Sequence, residues 1–205
     1  MTKASPKTNY HHGDLRRALV DAARDLVRES GPENLSLREV ARRAGVSQTA
    51  PYRHFADRRE LVAAVAAEAF RDLYARIVKG ARSAGESKQG LRAVAEQYVA
   101  FAIDRESEYR LMFGGELANG NSLPELDQAS RAVFDLLRSG IAGLKEQNLV
   151  ADRPTDDVAV TCWATMHGLV MLLLDGQVPG GHGKRSAIAL VHASTEILMD
   201  GMAKR

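Results

Sequence analysis

The sequence predicts an all-α protein: an N-terminal three-helix helix-turn-helix unit, joined by a bridging helix to a C-terminal helical bundle, about nine helices in total. Three observations carry that prediction. Nearly every periodic segment has its apolar residues at helical spacing, no alternating run is long enough for a strand, and glycine or proline punctuates the chain between segments. With 205 residues, 45% of them hydrophobic and 26% charged, the composition is that of a globular protein able to bury a core.

Taken in order, the first helix is predicted over Asp14 to Ser30, with Leu15, Leu19, Ala22, Ala23 and Leu26 on one face and Gly31 as its stop. The second is short. Ser36 and Glu39 have the spacing of a capping box, Leu35 and Val40 sit at the staple positions, and Gly45 suits the left-handed residue after the last turn at Ala44. A third, candidate recognition helix is expected near 48–54. A long helix follows from Arg58 to about Lys79, with Leu61, Val65, Ala69, Leu73 and Ile77 as its stripe. "GARSAGESKQG" reads as a break, then helices follow at 88–103 and 107–113, and "GGELANGNS" reads as a loop. Pro124 opens the next helix, which runs to Gln147. The last two helices are predicted over Asp156 to Leu174 and from "DGQVPGGHGK" to Met202. Domain boundaries follow at 1–13 for a flexible basic arm, 14–57 for the helix-turn-helix unit and 58–205 for the bundle.

Several classes are excluded or disfavoured by composition. Cys162 is the single cysteine, so there is no internal disulfide or cysteine zinc site, and a reducing cytoplasmic setting is expected. The N-terminus has no apolar run of the secretory kind. "GLVMLLLDG" holds six consecutive apolar residues between glycine and aspartate, too few to span a bilayer, so no membrane partner is expected. Charge is uneven: residues 1–60 carry 12 Lys+Arg against 8 Asp+Glu, a net +4, and the remainder is −2. That asymmetry suggests an anionic partner for the first third, though such an excess also suits a solvated surface.

The segment "AGVSQTAPYRHF", Ala44 to Phe55, has the glycine turn and small residues that a helix-turn-helix needs, with Ala41, Val46, Val40 and Phe55 available for its core. Its second helix would project Gln48, Thr49, Tyr52, Arg53 and His54 toward a major groove. The bland alternative is an ordinary helix pair around a glycine turn. Pro51 complicates the motif. It lacks an N–H, crowds the Ser47 carbonyl and biases Ala50 away from helical geometry. The expectation is a shortened helix with a loosened or 3₁₀-like first turn.

The stretch "LREVARRAGVSQTAPYRHFADRRELVAAV" resembles the N-terminal signature of the TetR family of bacterial transcriptional regulators. The matching positions are Ala44, Gly45, Val46, Ser47, Tyr52, His54, Phe55 and Arg58. The chain departs from the usual pattern at Thr49, Ala50 and Pro51, and has arginine at 58 where lysine is commoner. The resemblance implies double-stranded operator DNA as partner. Ser36, Ser47, Gln48, Thr49, Tyr52, Arg53, His54 and Arg58 are the candidate contacts: Tyr52, His54 and Arg58 to phosphate, Gln48 to adenine, and the Thr49 methyl to thymine. It also implies a homodimer through the last two helices and repression relieved by a small-molecule effector bound in the bundle. "CWATMHGLV", with Trp163, His167 and Gly168, together with "NYHHGDLR" near the start, resembles a TetR subgroup carrying a Trp and a His-Gly pair.

In the bundle, the helix 156–174 is apolar nearly all round and is expected to be buried on most sides. Met112, Phe113, Trp163, Met166, His167 and Met171 are candidate effector contacts, each also explicable as core. His167 is polar in an apolar helix and should have a partner. Gly168 would permit close approach, at a propensity cost of ~1 kcal/mol. A basic arm of Lys3, Lys7, His11 and His12 could enter a minor groove, or be an unstructured terminus. No catalytic site is expected. Cys162 and His167 lack an orienting acid, "GGHGK" lacks P-loop spacing, and His11–His12 lack further ligands, so neither metal nor cofactor is called for. A helix-turn-helix protein without an effector is the remaining alternative.

Overall fold

The computed structural model describes residues 12–84, 87–118, 123–178 and 184–203. Among the described residues there are nine α-helices, two single-turn 3₁₀ helices and no strand. The basic arm residues Lys3, Lys7 and His11 lie outside the described residues.

Helix α1 (His12–Ser30) starts two residues before the predicted Asp14 and takes the last two residues of the predicted arm. Its apolar face buries Leu19, Ala22, Ala23 and Leu26. Gly31, at φ 83°, and a 3₁₀ turn over Pro32–Asn34 lead into α2 (Leu37–Arg43). Ser36 caps α2, its hydroxyl accepting the Glu39 N–H at 3.2 Å. The reciprocal half of the predicted capping box is replaced, because the Glu39 carboxylate accepts from Arg42 at 3.0 Å. Leu35 and Val40 are both buried at the staple positions. At the other end Gly45 takes φ 68°. The bonds Val46 N–H to Ala41 C=O (3.0 Å) and Gly45 N–H to Arg42 C=O (3.2 Å) close the helix as a Schellman motif.

Helix α3 (Arg58–Ala84) is the central element and runs five residues beyond its predicted end. All five residues of its predicted stripe are buried, and so are Ala63, Ala64, Ala66 and Ala67. Those alanines let neighbours approach from several sides, so α3 packs against α1, α4 (Lys88–Asp104), α5 (Glu106–Met112) and α7 (Pro124–Glu146). The predicted break at 80–90 is correspondingly narrower. Within the predicted loop at 114–122 the chain forms a short helix, α6 (Gly115–Ala118), whose Glu116 pairs with Arg58. The last two helices are α8 (Thr155–Leu174) and α9 (Lys184–Met202).

One expectation is corrected outright. α8 buries Val158, Ala159, Cys162, Met166, Val170 and Leu173, but leaves Val160 49%, Trp163 39% and Leu172 45% exposed. Its all-round apolarity therefore reflects one face in the core and a second face uncovered in the single chain. Gly168 admits no close neighbour either: a side chain there would meet nothing within 4 Å.

Candidate nucleic-acid interface and ligand cavity

Between α2 and α3 the recognition segment forms a 3₁₀ turn over Pro51–Arg53 and no α-helix. The Ser47 carbonyl accepts the Ala50 N–H at 3.0 Å, one residue before the donor that Pro51 lacks. Pro51 occupies the first helical position, where its missing N–H deprives no bond. Ala50 nevertheless keeps φ −61°, ψ −42°, so the expected drift away from helical geometry does not occur. Buried Pro51 and Phe55 anchor the segment, and Arg16 lies over the Phe55 ring with its guanidinium carbon 5.4 Å from the centroid.

This anchoring leaves Ser47, Gln48, Thr49, Tyr52 and Arg53 on the outside, with His54 half-buried beside them. Tyr52 is 53% exposed despite its ring. Ser47 and Thr49 hydroxyls share a hydrogen bond of 3.2 Å. Ser36, exposed, keeps a hydroxyl proton to donate while its oxygen caps α2. Arg58 is placed differently. Its guanidinium donates to the Leu35 and Pro32 carbonyls, both at 2.7 Å, and pairs with Glu116. It clamps the 32–35 turn to α3. Arg38, missed in the sequence, is exposed on the first turn of α2 with no ion pair among the described residues. Only its position beside the segment distinguishes it from a solvated arginine.

In the bundle an apolar cavity of about 520 Å³ lies between α3, α4, α7 and α8, a size typical of small-molecule pockets. Phe70, Leu73 and Ile77 line it from α3, Tyr98 from α4, Phe134 from α7 and Trp163 from α8. Of the sequence candidates, Met112, Phe113, Trp163 and Met166 line it, whereas His167 and Met171 do not. Met171 packs half-buried against the main core. His167 lies behind the wall in a polar knot. Its Nδ1 meets the Tyr109 hydroxyl at 2.6 Å, the Tyr109 and Tyr98 hydroxyls are 2.8 Å apart, and Trp163 Nε1–H donates to the Tyr98 oxygen at 3.3 Å. Burial lowers the affinity of His167 for a proton. It also raises the Tyr98 pKa to about 12, against a small opposing effect of its hydrogen bonds, and pushes Tyr109 up further. All three are therefore neutral near pH 7. Phe113 packs at a steep angle against this knot, 4.7 Å from His167 and 4.9 Å from Tyr109 between ring centroids. Sequence periodicity could not find the α3, α4 and α7 walls, since residues facing a cavity and residues facing a core have the same spacing.

A second cluster joins the helix-turn-helix end to the bundle. Glu108 on α5 is fully buried, 0% exposed. Arg24 and Arg28 of α1 donate to one carboxylate oxygen at 2.8 and 3.1 Å, and Arg105 to the other at 3.0 Å. Burial alone would raise its pKa, but hydrogen bonds from Arg24 and Arg105 and the charges of Arg24 and Arg28 outweigh burial and hold it low. Glu125 of α7 likewise ties Arg16 of α1 at 2.5 Å and Arg71 of α3 at 2.9 Å.

Comparison with known proteins agrees with this architecture. Residues 19–65 match the family described as "Bacterial regulatory proteins, tetR family", and residues 91–198 match "Tetracyclin repressor-like, C-terminal domain". The chain is similar to the HTH-type transcriptional regulator Rv1816 of Mycobacterium tuberculosis, 30% identical over 154 residues, covering 71% of this chain and 62% of the relative. It is also similar to the HTH-type transcriptional activator FasR of Mycolicibacterium smegmatis, 28% identical over 129 residues, covering 60% and 59%. The match thus spans under two thirds of these relatives' own length. A solved structure of a protein of unknown function from Rhodococcus sp. RHA1 superposes with a TM-score of 0.84 at 30% identity, covering 97% of this chain and all of that one. With the helix-turn-helix signature at one end and the repressor-like bundle matched over more than half of its length, the chain belongs to the TetR family of bacterial transcriptional regulators.

Proposed function

We propose that the protein is a repressor that binds a near-palindromic DNA operator as a homodimer and is released from it by a small-molecule effector. The carrying observation is that one helix serves both ends: α3 begins beside the exposed 47–54 segment and, through Phe70, Leu73 and Ile77, forms a wall of the cavity. A ligand that reshapes the cavity then tilts the segment. Effector and operator weaken each other reciprocally, typically by ~1–3 kcal/mol. α5 offers a parallel route, since Met112 faces the cavity and Glu108 holds α1. The functional division is 14–57 for DNA and 58–205 for effector and dimer contacts. The joining of Trp163 and His167 in one bonded knot supports the Trp/His-Gly subgroup.

For DNA, Gln48 and Thr49 meet bases, while Tyr52, His54, Arg53, Ser36 and Ser47 meet phosphates. Arg38 joins the phosphate set. Arg58 leaves it, because its donors are engaged within the chain. Exposed Val160 and Leu172 of α8 together with Ile197 of α9 support dimerisation through these helices. The nature of the family as DNA-binding regulators argues against an enzyme.

Mobility-shift titrations on an operator selected from a random library, at two or more salt concentrations, test the interface. Arg53→Gln removes one phosphate contact in each protomer of the dimer and is expected to reduce the slope of log affinity against log salt by about 1.8. Gln48→Ala should alter base preference at one position of each half-site by ~1–3 kcal/mol without changing that slope. A salt slope unchanged by Arg53→Gln removes Arg53 from the phosphate set, and an unchanged base preference removes Gln48 from the bases.

A further inference from the structure

Resting on the reading of the cavity as an effector site, we infer that its ligand is an anionic amphipath: an apolar chain or ring system filling the cavity, with a carboxylate or phosphate head at Arg131. The argument is an accounting of polar groups. The walls from α3, α4 and α8 are almost wholly apolar, and the polar side chains gather on one face of α7 as Asp127, Ser130 and Arg131, with Tyr98 and Thr195 elsewhere on the lining. Nearly all of these are already engaged. The Tyr98 hydroxyl is shared with Tyr109 and Trp163. The Thr195 hydroxyl donates to the Val191 carbonyl at 2.7 Å, and that of Ser130 to the Asp127 carbonyl at 3.2 Å. The Asp127 side chain also has an interaction of its own.

Arg131 is the exception. No hydrogen bond or ion pair joins its guanidinium to any other described residue, whereas Arg71, Arg110 and Arg138 are each paired with carboxylates. A guanidinium has five donors and no acceptor, stays charged at any physiological pH, and matches the fork of a carboxylate or phosphate. Asp127, one turn away, offsets part of that charge, so an anionic head is preferred to a neutral one only by the margin Arg131 leaves. Arg131 is exposed, so the head remains at the mouth in contact with water while the apolar body enters. Binding strength then comes mainly from the body, roughly fourfold for each methylene buried, and the head contributes selectivity.

Trp163 is the single tryptophan and lines the cavity, so its emission reports occupancy without DNA. The full-length protein is titrated, below micelle-forming concentrations, with decanoate, decyl phosphate, decanol and decyltrimethylammonium. Both anions are expected to bind about fivefold tighter than decanol, the modest effect of a partly screened ion pair, with the cation weakest. Arg131→Gln should erase the advantage of the anions and leave decanol affinity as it was. The better of the two anions identifies whether carboxylate or phosphate is the natural head. Equal binding of all four probes overturns the head-group assignment while leaving the cavity as a ligand site. If none of them moves the emission of Trp163, the cavity reading itself fails and this inference with it.

Discussion

Pro51 brings two local penalties, a missing donor and a crowded predecessor, and the chain meets them in different ways. The missing donor is absorbed by register: Ser47 accepts from Ala50, and Pro51 starts the 3₁₀ turn. The crowding at Ala50 is tolerated outright, held by the burial of Pro51 and Phe55 that follow it. Replacing the ring should therefore matter to stability more than to geometry. Pro51→Ala is expected to lower unfolding free energy by about 1 kcal/mol, from a freer unfolded chain and lost burial. Urea denaturation measures it, and an unchanged or raised midpoint would mean that the new N–H at position 51 recovers more than the ring supplied.

Helix α5 is only seven residues long, yet its Glu108 is the most deeply buried charge among the described residues. Glu108 is surrounded by Arg24, Arg28 and Arg105, and Asp72 pairs with Arg24 and lies 3.7 Å from Arg105. Removing one charge from such a buried group leaves the others uncompensated. Glu108→Gln is expected to destabilise the protein by about 3 kcal/mol at pH 7. The pH dependence has a definite sign. Because the folded pKa lies below the unfolded value, the charge contribution is complete above the ordinary glutamate value of about 4.3 and is lost as pH falls through the folded pKa. Denaturant titrations from pH 7 to pH 3 should show wild type and variant converging only on the acid side. A gap constant across that range would assign the effect to packing instead of charge.

For the molecule as a whole, the uncovered apolar face is the feature with the largest consequence. Ile197 is 72% exposed on α9, and Val160 and Leu172 are exposed on the side of α8 away from its buried residues. An isolated exposed apolar residue is ordinary, whereas such a group on two adjacent helices suits a partner helix pair. Ile197→Glu adds a charge at a solvent-facing position, so the fold should survive while the dimer does not. Sedimentation velocity should give the monomer mass for the variant and twice that for the wild type, with operator affinity falling in parallel. A variant still dimeric at micromolar concentration would move the interface elsewhere.

Much of this was legible in the amino-acid order, because it depends on neighbours in the chain. Helical periodicity, the cap at Ser36, the left-handed Gly45 and the TetR signature each act over a few residues, and each appears where the spacing puts it. Local reading was weaker where two distant segments compete for one side chain. Arg58 has the position of a phosphate ligand, but its guanidinium is taken by carbonyls about 25 residues upstream and by Glu116. His167 looks like a pocket residue, but Tyr98 and Tyr109 hold it behind the wall. α8 is apolar enough to be wholly buried, but only packing decides which of its faces the single chain covers. The sequence by itself determined the main helices, the cap and C-terminal turn of α2, and the family. Tertiary structure alone decided which polar groups are spent on the fold and which, like Arg131, remain available to something else, since hydrogen-bond partners are chosen by distance in space and not along the chain.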